Sequence, residues 1–264
     1  MSAVSLIVAA GALLLAPWLW SGLIAGARRA ALGWRAREPA GDRGEKAVLA
    51  IMLAPVFLGA ALLMAPPALG PASAPPPLLD LIEWSGLAPQ EALEARPIGL
   101  DWPLAIALAV WALYGLGVLR FAAPLLAAHV RVGHVLRRAT PDAQRANVLL
   151  SDLTTTPLAV SRGRIVVPPT LLAALSAEQI DMIVAHERRH HERGDIVYYA
   201  LLAWLEVAFW FNPFVRGQIN TCRLAAELDC DASVTRVAPQ MRRTYAQTLL
   251  EVLKHTAGSA LPCA

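Results

Sequence analysis

The chain has 264 residues, of which 56% are hydrophobic and 16% charged, and its formal net charge is +3. With a mean hydropathy of +0.49, it is too apolar for an ordinary soluble domain and long enough for several membrane spans plus one small domain. Three cysteines argue against a disulfide framework, and basic residues without a nucleic-acid motif argue against a nucleic-acid partner.

Three apolar runs have the length needed to cross a bilayer as helices, at about residues 4–26, 47–69 and 102–120. Residues 27–46 carry six basic residues and three acids, whereas residues 70–97 carry four acids and one arginine. By the positive-inside rule, residues 27–46 and the arginine-rich stretch after the third run lie in the cytoplasm. A cleaved signal peptide is the alternative for the first run. Arg28 and Arg29 follow that run and no basic residue precedes it, which favours an uncleaved span.

Short strands are predicted after the last span, at residues 148–150, 158–161 and 164–167. Arg162 and Gly163 join the last two strands and suit a two-residue hairpin. A strand beside a catalytic helix offers a free edge to which an extended peptide can add as one more strand. The same hairpin is equally compatible with a plain scaffold role.

A helix is predicted from about Ala177 to Glu192, because Ser176 and Gln179 have the spacing of a capping box. Its end reads His-Glu-x-x-His, and His186 and His190, four residues apart, share one helical face. Both imidazoles can therefore reach one metal ion, for which zinc is the first choice. The alternative is a pair of solvated or core histidines.

Glu187 lies between the two histidines in sequence but points to another side of the helix. It is placed to take a proton from water at the metal rather than to bind the metal. This arrangement is typical of a hydrolase.

A third protein ligand is expected, because a catalytic zinc ion has three protein ligands and leaves one position open. The best candidate is Glu227, and Asp231, one helical turn later, can accept the spare N–H of a ligating imidazole. A solvated acidic helix face is the alternative for this segment. Zinc ligation by Cys222 and Cys230 is less favoured than simple packing.

An apolar run at residues 196–215 is long enough for a fourth span. If it crossed the membrane, Glu227 would emerge on the opposite side from His186 and His190. We therefore favour a re-entrant or interfacial hairpin that breaks at Asn212 and Pro213. The alternatives are a true fourth span and a different third ligand.

These motifs together resemble the BlaR/MecR antirepressor family of membrane zinc metallopeptidases, over roughly residues 156–250. The resemblance rests on the His-Glu-x-x-His motif, Arg193 with Asp195, Trp210-Phe211-Asn212-Pro213, and Glu227-x-x-x-Asp231 with Cys230 before the aspartate. One departure is the charged pair Arg188-Arg189 between the histidines, which leaves the ligands intact.

The resemblance implies a gluzincin-type site that binds one zinc ion per chain. His186, His190 and Glu227 are the implied ligands, Glu187 the general base and Asp231 an outer partner of a ligand. Asp195 is a further candidate for such an outer contact. An oxyanion stabiliser is also expected, and the unranked candidates are Tyr198, Tyr199 and Tyr245.

The predicted fold is a mainly α membrane protein, with a transmembrane region at residues 1–130 and a small α+β zincin-like domain at residues 131–264. The predicted function is zinc-dependent endopeptidase activity at the cytoplasmic face of a bacterial inner membrane, in regulated proteolysis. Expected partners are the bilayer and a protein or peptide substrate, which is either a cytoplasmic repressor or the chain itself; a homodimer is possible. The alternatives are a sensor-transducer acting on a repressor and a zinc-binding scaffold without turnover.

Overall fold

A computed structural model describes residues 3–32, 41–64, 102–237 and 239–260. The chain divides into two compact units. The first comprises Met1–Trp20 and Leu53–Tyr114, and the second comprises Ser21–Met52 and Gly115–Ala264. The three N-terminal helices therefore contribute to both units, and the predicted metal-binding residues all lie in the second.

Helices dominate the described residues, and a small sheet interrupts them. The helices are α1 (Ala3–Leu32), α2 (Asp42–Met64), α3 (Trp102–Arg138), α4 (Pro169–Ala174), α5 (Ala177–Arg193), α6 (Asp195–Ala208), α7 (Pro213–Val237) and α8 (Arg242–Ala260). The strands are β1 (Thr140–Pro141), β2 (Val148–Leu150), β3 (Leu158–Val160) and β4 (Arg164–Val167). A short 3₁₀ turn, Pro239–Met241, precedes α8.

Within the described ranges, α3 is the one helix found long and apolar enough to cross a membrane. The predicted third span, at residues 102–120, lies inside it. The other two predicted spans coincide with α1 and α2, and their passage through a membrane stays a prediction. Residues 65–69 of the second span and the acidic loop at 70–97 lie outside the described residues.

The sheet of the second unit has the strand order β1-β2-β4-β3. Strands β2 and β4 are parallel, and β3 pairs with β4 as an antiparallel hairpin. Three residues, Ser161, Arg162 and Gly163, connect this hairpin, since Val160 pairs with Arg164. The connection is therefore one residue longer than the predicted two-residue turn, and Arg162 and Gly163 have positive φ values of 66° and 73°. The predicted strands are present, whereas the two-residue β1 was not predicted. Strand β3 lies at the edge of the sheet.

The sheet packs against helices on two sides. On one side, apolar side chains of β2, β4 and α4 form a core with those of α5, comprising Val148, Ile165, Val167, Leu171, Ile180, Ile183 and Val184. On the other side, Val160 and Val166 pack against Val135 near the end of α3. Because burying one such side chain contributes roughly 1.5–3 kcal/mol, these contacts fix α5 firmly against the sheet.

The apolar run at residues 196–215 forms a helical hairpin instead of one straight helix. Helix α6 ends at Ala208 and α7 begins at Pro213, so the break lies where it was predicted. Buried Asn212 caps α7, since its Oδ1 accepts hydrogen bonds from the backbone N–H groups of Phe214 (3.1 Å) and Val215 (3.2 Å). Helix α7 packs back along α6 and returns the chain to α5. The position of this hairpin relative to a membrane stays a prediction.

Trp210, in the turn of this hairpin, packs against α3 at Gly117. Its ring stacks on Phe121 with 6.1 Å between ring centres, and a Cβ atom on Gly117 would overlap the indole. A Cβ atom on the neighbouring Gly115 would meet nothing within 4 Å. The close approach at Gly117 therefore fixes the turn against α3.

We expect Gly117→Ala to destabilise the protein by about 1–3 kcal/mol, because the added methyl group displaces the Trp210 ring from a packed site. Gly115→Ala is the matched control in the same helix and should leave stability unchanged or raise it slightly. Thermal unfolding of both variants in detergent measures the difference. Equal melting temperatures would contradict the proposed contact.

Candidate metal centre

Helix α5 carries the two histidines, and both of its ends are fixed by capping residues. Ser176 and Gln179 form the predicted capping box: the Ser176 hydroxyl accepts the Gln179 N–H at 3.2 Å, and the Gln179 side chain accepts the Ser176 N–H at 2.9 Å. Gly194 ends the helix in the left-handed conformation, with a φ of 74°. The helix therefore extends one residue beyond the predicted end, to Arg193.

Three donor atoms from α5 and α7 converge on one point. His186 Nε2 lies 3.2 Å from His190 Nε2, and Glu227 Oε2 lies 3.4 Å and 3.6 Å from these two nitrogens. A tetrahedral zinc ion with bonds of about 2.0–2.1 Å separates its ligand atoms by about 3.3–3.4 Å. The spacing and chemistry of the three donors thus fit a zinc site. Their role as ligands stays a prediction.

Each imidazole is held from behind by a carboxylate. His190 Nδ1 lies 2.9 Å from Asp195 Oδ2, and His186 Nδ1 lies 3.1 Å from Asp231 Oδ1. A proton on Nδ1 is stabilised by these carboxylates, which leaves the Nε2 lone pairs directed at the common point. Asp195 and Asp231 therefore lie where outer partners of metal-binding histidines are expected.

The local field favours positive charge where the donors converge. Burial alone would lower the pKa of His186, but hydrogen bonds with Asp231 and Glu227 outweigh it and raise the pKa to about 9. Burial would likewise lower the pKa of His190, but Cys230, Glu227 and Asp195 together raise it to about 11. In each case, the surrounding acceptors stabilise a cation, and a metal ion satisfies the same requirement.

Glu227 is oriented by a tyrosine. Tyr199 donates a hydrogen bond to Glu227 Oε1 at 2.7 Å, while Oε2 faces the histidines. Burial alone would raise the pKa of this carboxyl group, but the hydrogen bonds from His186, His190 and Tyr199 hold it well below its ordinary value. Glu227 therefore presents one charged oxygen to the common point.

Glu187 lies apart from the three converging donors, against the edge strand. Its Oε2 accepts the backbone N–H of Ala159 in β3 at 2.9 Å. Burial raises the pKa of the Glu187 carboxyl group. A raised pKa suits a group that accepts a proton near neutral pH and later returns it.

The tyrosines that were candidates for oxyanion stabilisation occupy different positions. The Tyr245 hydroxyl donates to Asp231 at 2.7 Å and lies 2.9 Å from His186 Nδ1, behind the imidazole. Tyr199 contacts Glu227, whereas the ring of Tyr198 lies under Lys46 Nζ, 4.2 Å from the ring centre. The contacts of Tyr199 and Tyr245 indicate that they orient Glu227, Asp231 and His186, the predicted ligands and their outer partner.

Two residues that the sequence did not predict as site residues, Cys230 and Arg193, lie close to the site. Buried Cys230 has its sulfur 3.5 Å from His190 Nδ1 and 3.8 Å from Asp195 Oδ2, whereas Cys222 contacts Gln218. Arg193 lies 3.2 Å from Asp195 Oδ2. In the sequence, Arg193 was indicated only by its occurrence with Asp195 among the motifs shared with the BlaR/MecR family.

The charged pair between the histidines does not disturb the site. Arg189 pairs with Glu192 at 3.1 Å. Arg188 and Arg189 both line an open groove on another side of α5, together with residues near the end of α7. The departure from the usual family pattern therefore leaves the three converging donors unaffected.

We expect Tyr245→Phe to weaken zinc binding about 3–10-fold, because it removes the hydroxyl that orients Asp231 and His186. Tyr198→Phe is the matched control and should leave zinc affinity within about twofold of wild type, since its hydroxyl lies away from the donors. Competition with a chromogenic chelator measures both affinities. Identical affinities for wild type and Tyr245→Phe would refute the orienting role.

Comparison with known proteins agrees with these motifs. The family model described as BlaR1 peptidase M56 matches residues 100–263. The chain is also similar to the regulatory protein BlaR1 of Bacillus licheniformis, with 25% identity over 87 residues. That match covers 33% of this chain and 14% of the relative, so the chain corresponds to a small part of that protein. Because the family model covers more than half of the chain, the protein belongs to the BlaR1 peptidase M56 family.

Proposed function

We propose that the protein is an integral-membrane zinc endopeptidase with His186, His190 and Glu227 as its zinc ligands and Glu187 as its general base. The observation that carries this proposal is the convergence of three donor atoms within 3.6 Å of one another. A separate, partly buried carboxylate, that of Glu187, lies within the same helical turn as the two histidines. A binding scaffold without turnover has no use for that carboxylate.

Zinc, when bound, lowers the pKa of a water molecule and polarises the scissile carbonyl group. Glu187 accepts the proton of the attacking water and later delivers it to the leaving amine. Asp195 and Asp231 hold the two imidazoles in the required tautomer, and Tyr199 keeps one oxygen of Glu227 directed at the metal.

Strand β3 is the proposed docking edge for the substrate. Its inner side pairs with β4, with Ala159 opposite Ile165. The Ala159 N–H instead points away from β4, to Glu187. A peptide that adds to this edge as an extended strand would exchange hydrogen bonds with β3 next to the general base. This placement favours a substrate-binding role over a plain scaffold role.

We place the active site at the cytoplasmic face of a bacterial inner membrane, with spans at about 4–26, 47–69 and 102–120 and the α6–α7 hairpin at the interface. The apolar character of α3 supports a membrane location. Basic residues beside the predicted spans support the orientation. The division into a transmembrane region and a peptidase domain near residue 130 is part of this proposal.

The substrate class we propose is a protein: a cytoplasmic repressor or the chain itself. The relative from Bacillus licheniformis is named a regulatory protein, which favours regulated proteolysis over general degradation. A sensor-transducer in which proteolysis is the output agrees with the same observation, and a homodimer is compatible with either function.

The test is the zinc content of detergent-purified protein. Wild type should hold about one zinc per chain, Glu227→Ala should lose most of it, and Glu187→Gln should retain it. Elemental analysis after dialysis gives the content. Full zinc retention by Glu227→Ala would place the third ligand elsewhere and overturn the site.

Cleavage of a quenched fluorescent casein tests the catalytic role. Glu187→Gln should lower the rate at least about 100-fold, because general-base catalysis contributes roughly 10²–10⁴-fold. Asp181→Asn, on an exposed part of the same helix, is the control and should retain wild-type activity. Activity in Glu187→Gln close to wild type would exclude Glu187 as the base.

The edge-strand proposal predicts that Ala159→Pro raises KM at least about tenfold while zinc content is unchanged, because proline removes the N–H that faces the site. Ala159→Ser keeps that N–H and serves as the matched control. Steady-state kinetics on the same substrate separate KM from kcat. An unchanged KM in Ala159→Pro would show that substrates bind elsewhere.

A further inference from the structure

Arg193, the last residue of α5, connects three carboxylates from three different helices. Its Nη2 lies 2.8 Å from Asp42 Oδ2 at the start of α2, and its Nε lies 3.2 Å from Asp195 Oδ2 at the start of α6. Its Nη1 pairs with Asp229 of α7. The Arg193 side chain is 10% exposed and that of Asp195 is fully buried. The Arg193–Asp195 pair is therefore well shielded from solvent, whereas the Asp229 side chain is 44% exposed.

The same oxygen of Asp195 serves two partners. Asp195 Oδ2 lies 3.2 Å from Arg193 and 2.9 Å from His190 Nδ1. A continuous series of polar contacts thus runs from Asp42 through Arg193 and Asp195 to His190. It joins the first residue of α2 to a side chain whose Nε2 faces the proposed zinc position.

We propose that Asp42 and Arg193 are positioning residues for the metal ligand His190, so that the placement of the start of α2 sets the metal affinity of the site. This inference rests on the proposed zinc site. It assigns a role to a residue outside the region matched by the family model, which begins at residue 100.

Charge balance explains how Asp42 acts at a distance. The guanidinium of Arg193 is shared among three carboxylates, so Asp195 remains available to accept the Nδ1 proton of His190. Without the charge of Asp42, Arg193 attracts Asp195 more strongly, and the hydrogen bond that Asp195 accepts from His190 weakens. The imidazole is then less basic and less firmly oriented, and both changes weaken metal binding.

A second set of contacts holds the start of α2 in place. Fully buried Glu45 accepts hydrogen bonds from Arg28 of α1 at 2.6 Å and from Gln218 of α7 at 2.7 Å. One turn of α2 is thereby joined to the helix that carries Glu227. Asp42 cannot shift relative to Arg193 without disturbing these buried contacts. A displacement of the start of α2 therefore changes the Asp42–Arg193 pair and, through it, the contacts of Asp195.

The experiment measures zinc affinity by chelator competition and the visible absorption spectrum of the cobalt-loaded full-length chain in detergent. Asp42→Asn keeps the shape of the side chain and should bind zinc about 3–10-fold more weakly, with an altered cobalt spectrum. Arg193→Lys retains the charge but loses the forked geometry and should weaken binding at least as much. Thermal unfolding confirms that each variant is folded.

Lys46→Gln is the matched control, because Asp42 also pairs with Lys46 at 2.8 Å. This variant removes that pair and the contact of Lys46 with Tyr198, but it leaves the Asp42–Arg193 pair intact. Zinc affinity within about twofold of wild type is expected, since no outer partner of a ligand is lost. A loss as large as that in Asp42→Asn would overturn the proposed route.

A double-mutant cycle tests whether the effect passes through Asp195. Asp195→Asn alone should weaken zinc binding about 10–100-fold, and adding Asp42→Asn should change it by less than about twofold. Additive losses, or wild-type affinity in both Asp42→Asn and Arg193→Lys, would disprove the inference while the zinc site stands. If wild type binds no zinc, the proposed function and this inference both fail.

Discussion

The structure depends on bringing two imidazoles and a carboxylate to one point, with their Nε2 and Oε2 atoms within 3.6 Å of one another. Such close placement of donor atoms favours a cation between them. Several neighbouring contacts support that arrangement. Asp195 and Asp231 hold the imidazoles from behind, and Tyr199 and Tyr245 orient the carboxylates.

Two rigid elements make this arrangement possible. The sheet core fixes α5 and therefore the two histidines, while the turn at residues 209–212 sends α7 back along α6 to deliver Glu227. The turn is held by the buried cap Asn212 and by the packing of Trp210 on α3. Since α3 is also the described helix that is long and apolar enough to cross a membrane, the placement of Glu227 depends on contacts made by that helix.

Strand β3, the end of α1 and the start of α2 also contribute contacts around the site. The Ala159 N–H of β3 donates a hydrogen bond to Glu187, which brings a strand edge next to the proposed general base. The segment Ser21–Met52 belongs to the same compact unit as α5, and it contributes Glu45 and Asp42 to polar contacts with that unit. This unit therefore includes residues from helices that the sequence predicts to be membrane spans.

The sequence by itself determined the features that depend on residues close together in the chain. The capping box at Ser176 and Gln179, the four-residue separation of the histidines, the presence of a turn at Arg162 and Gly163 and the helix break before Pro213 all follow from local backbone rules. It also led to Glu227 and Asp231, because one helical turn separates them and the chemistry of zinc demanded a third ligand. Local rules are sufficient for the capping box and the helix break, since the interacting residues belong to one element or its end.

Only the tertiary structure decided which distant side chains meet. Tyr245 lies 59 positions after His186, and Asp42 lies about 150 positions before Arg193, yet both pairs are in contact. No periodicity relates such residues, since their approach results from how helices pack and where turns reverse the chain. The same reason explains why the sequence left three tyrosines unranked. Their roles depend on the neighbour that each hydroxyl finds in the folded chain.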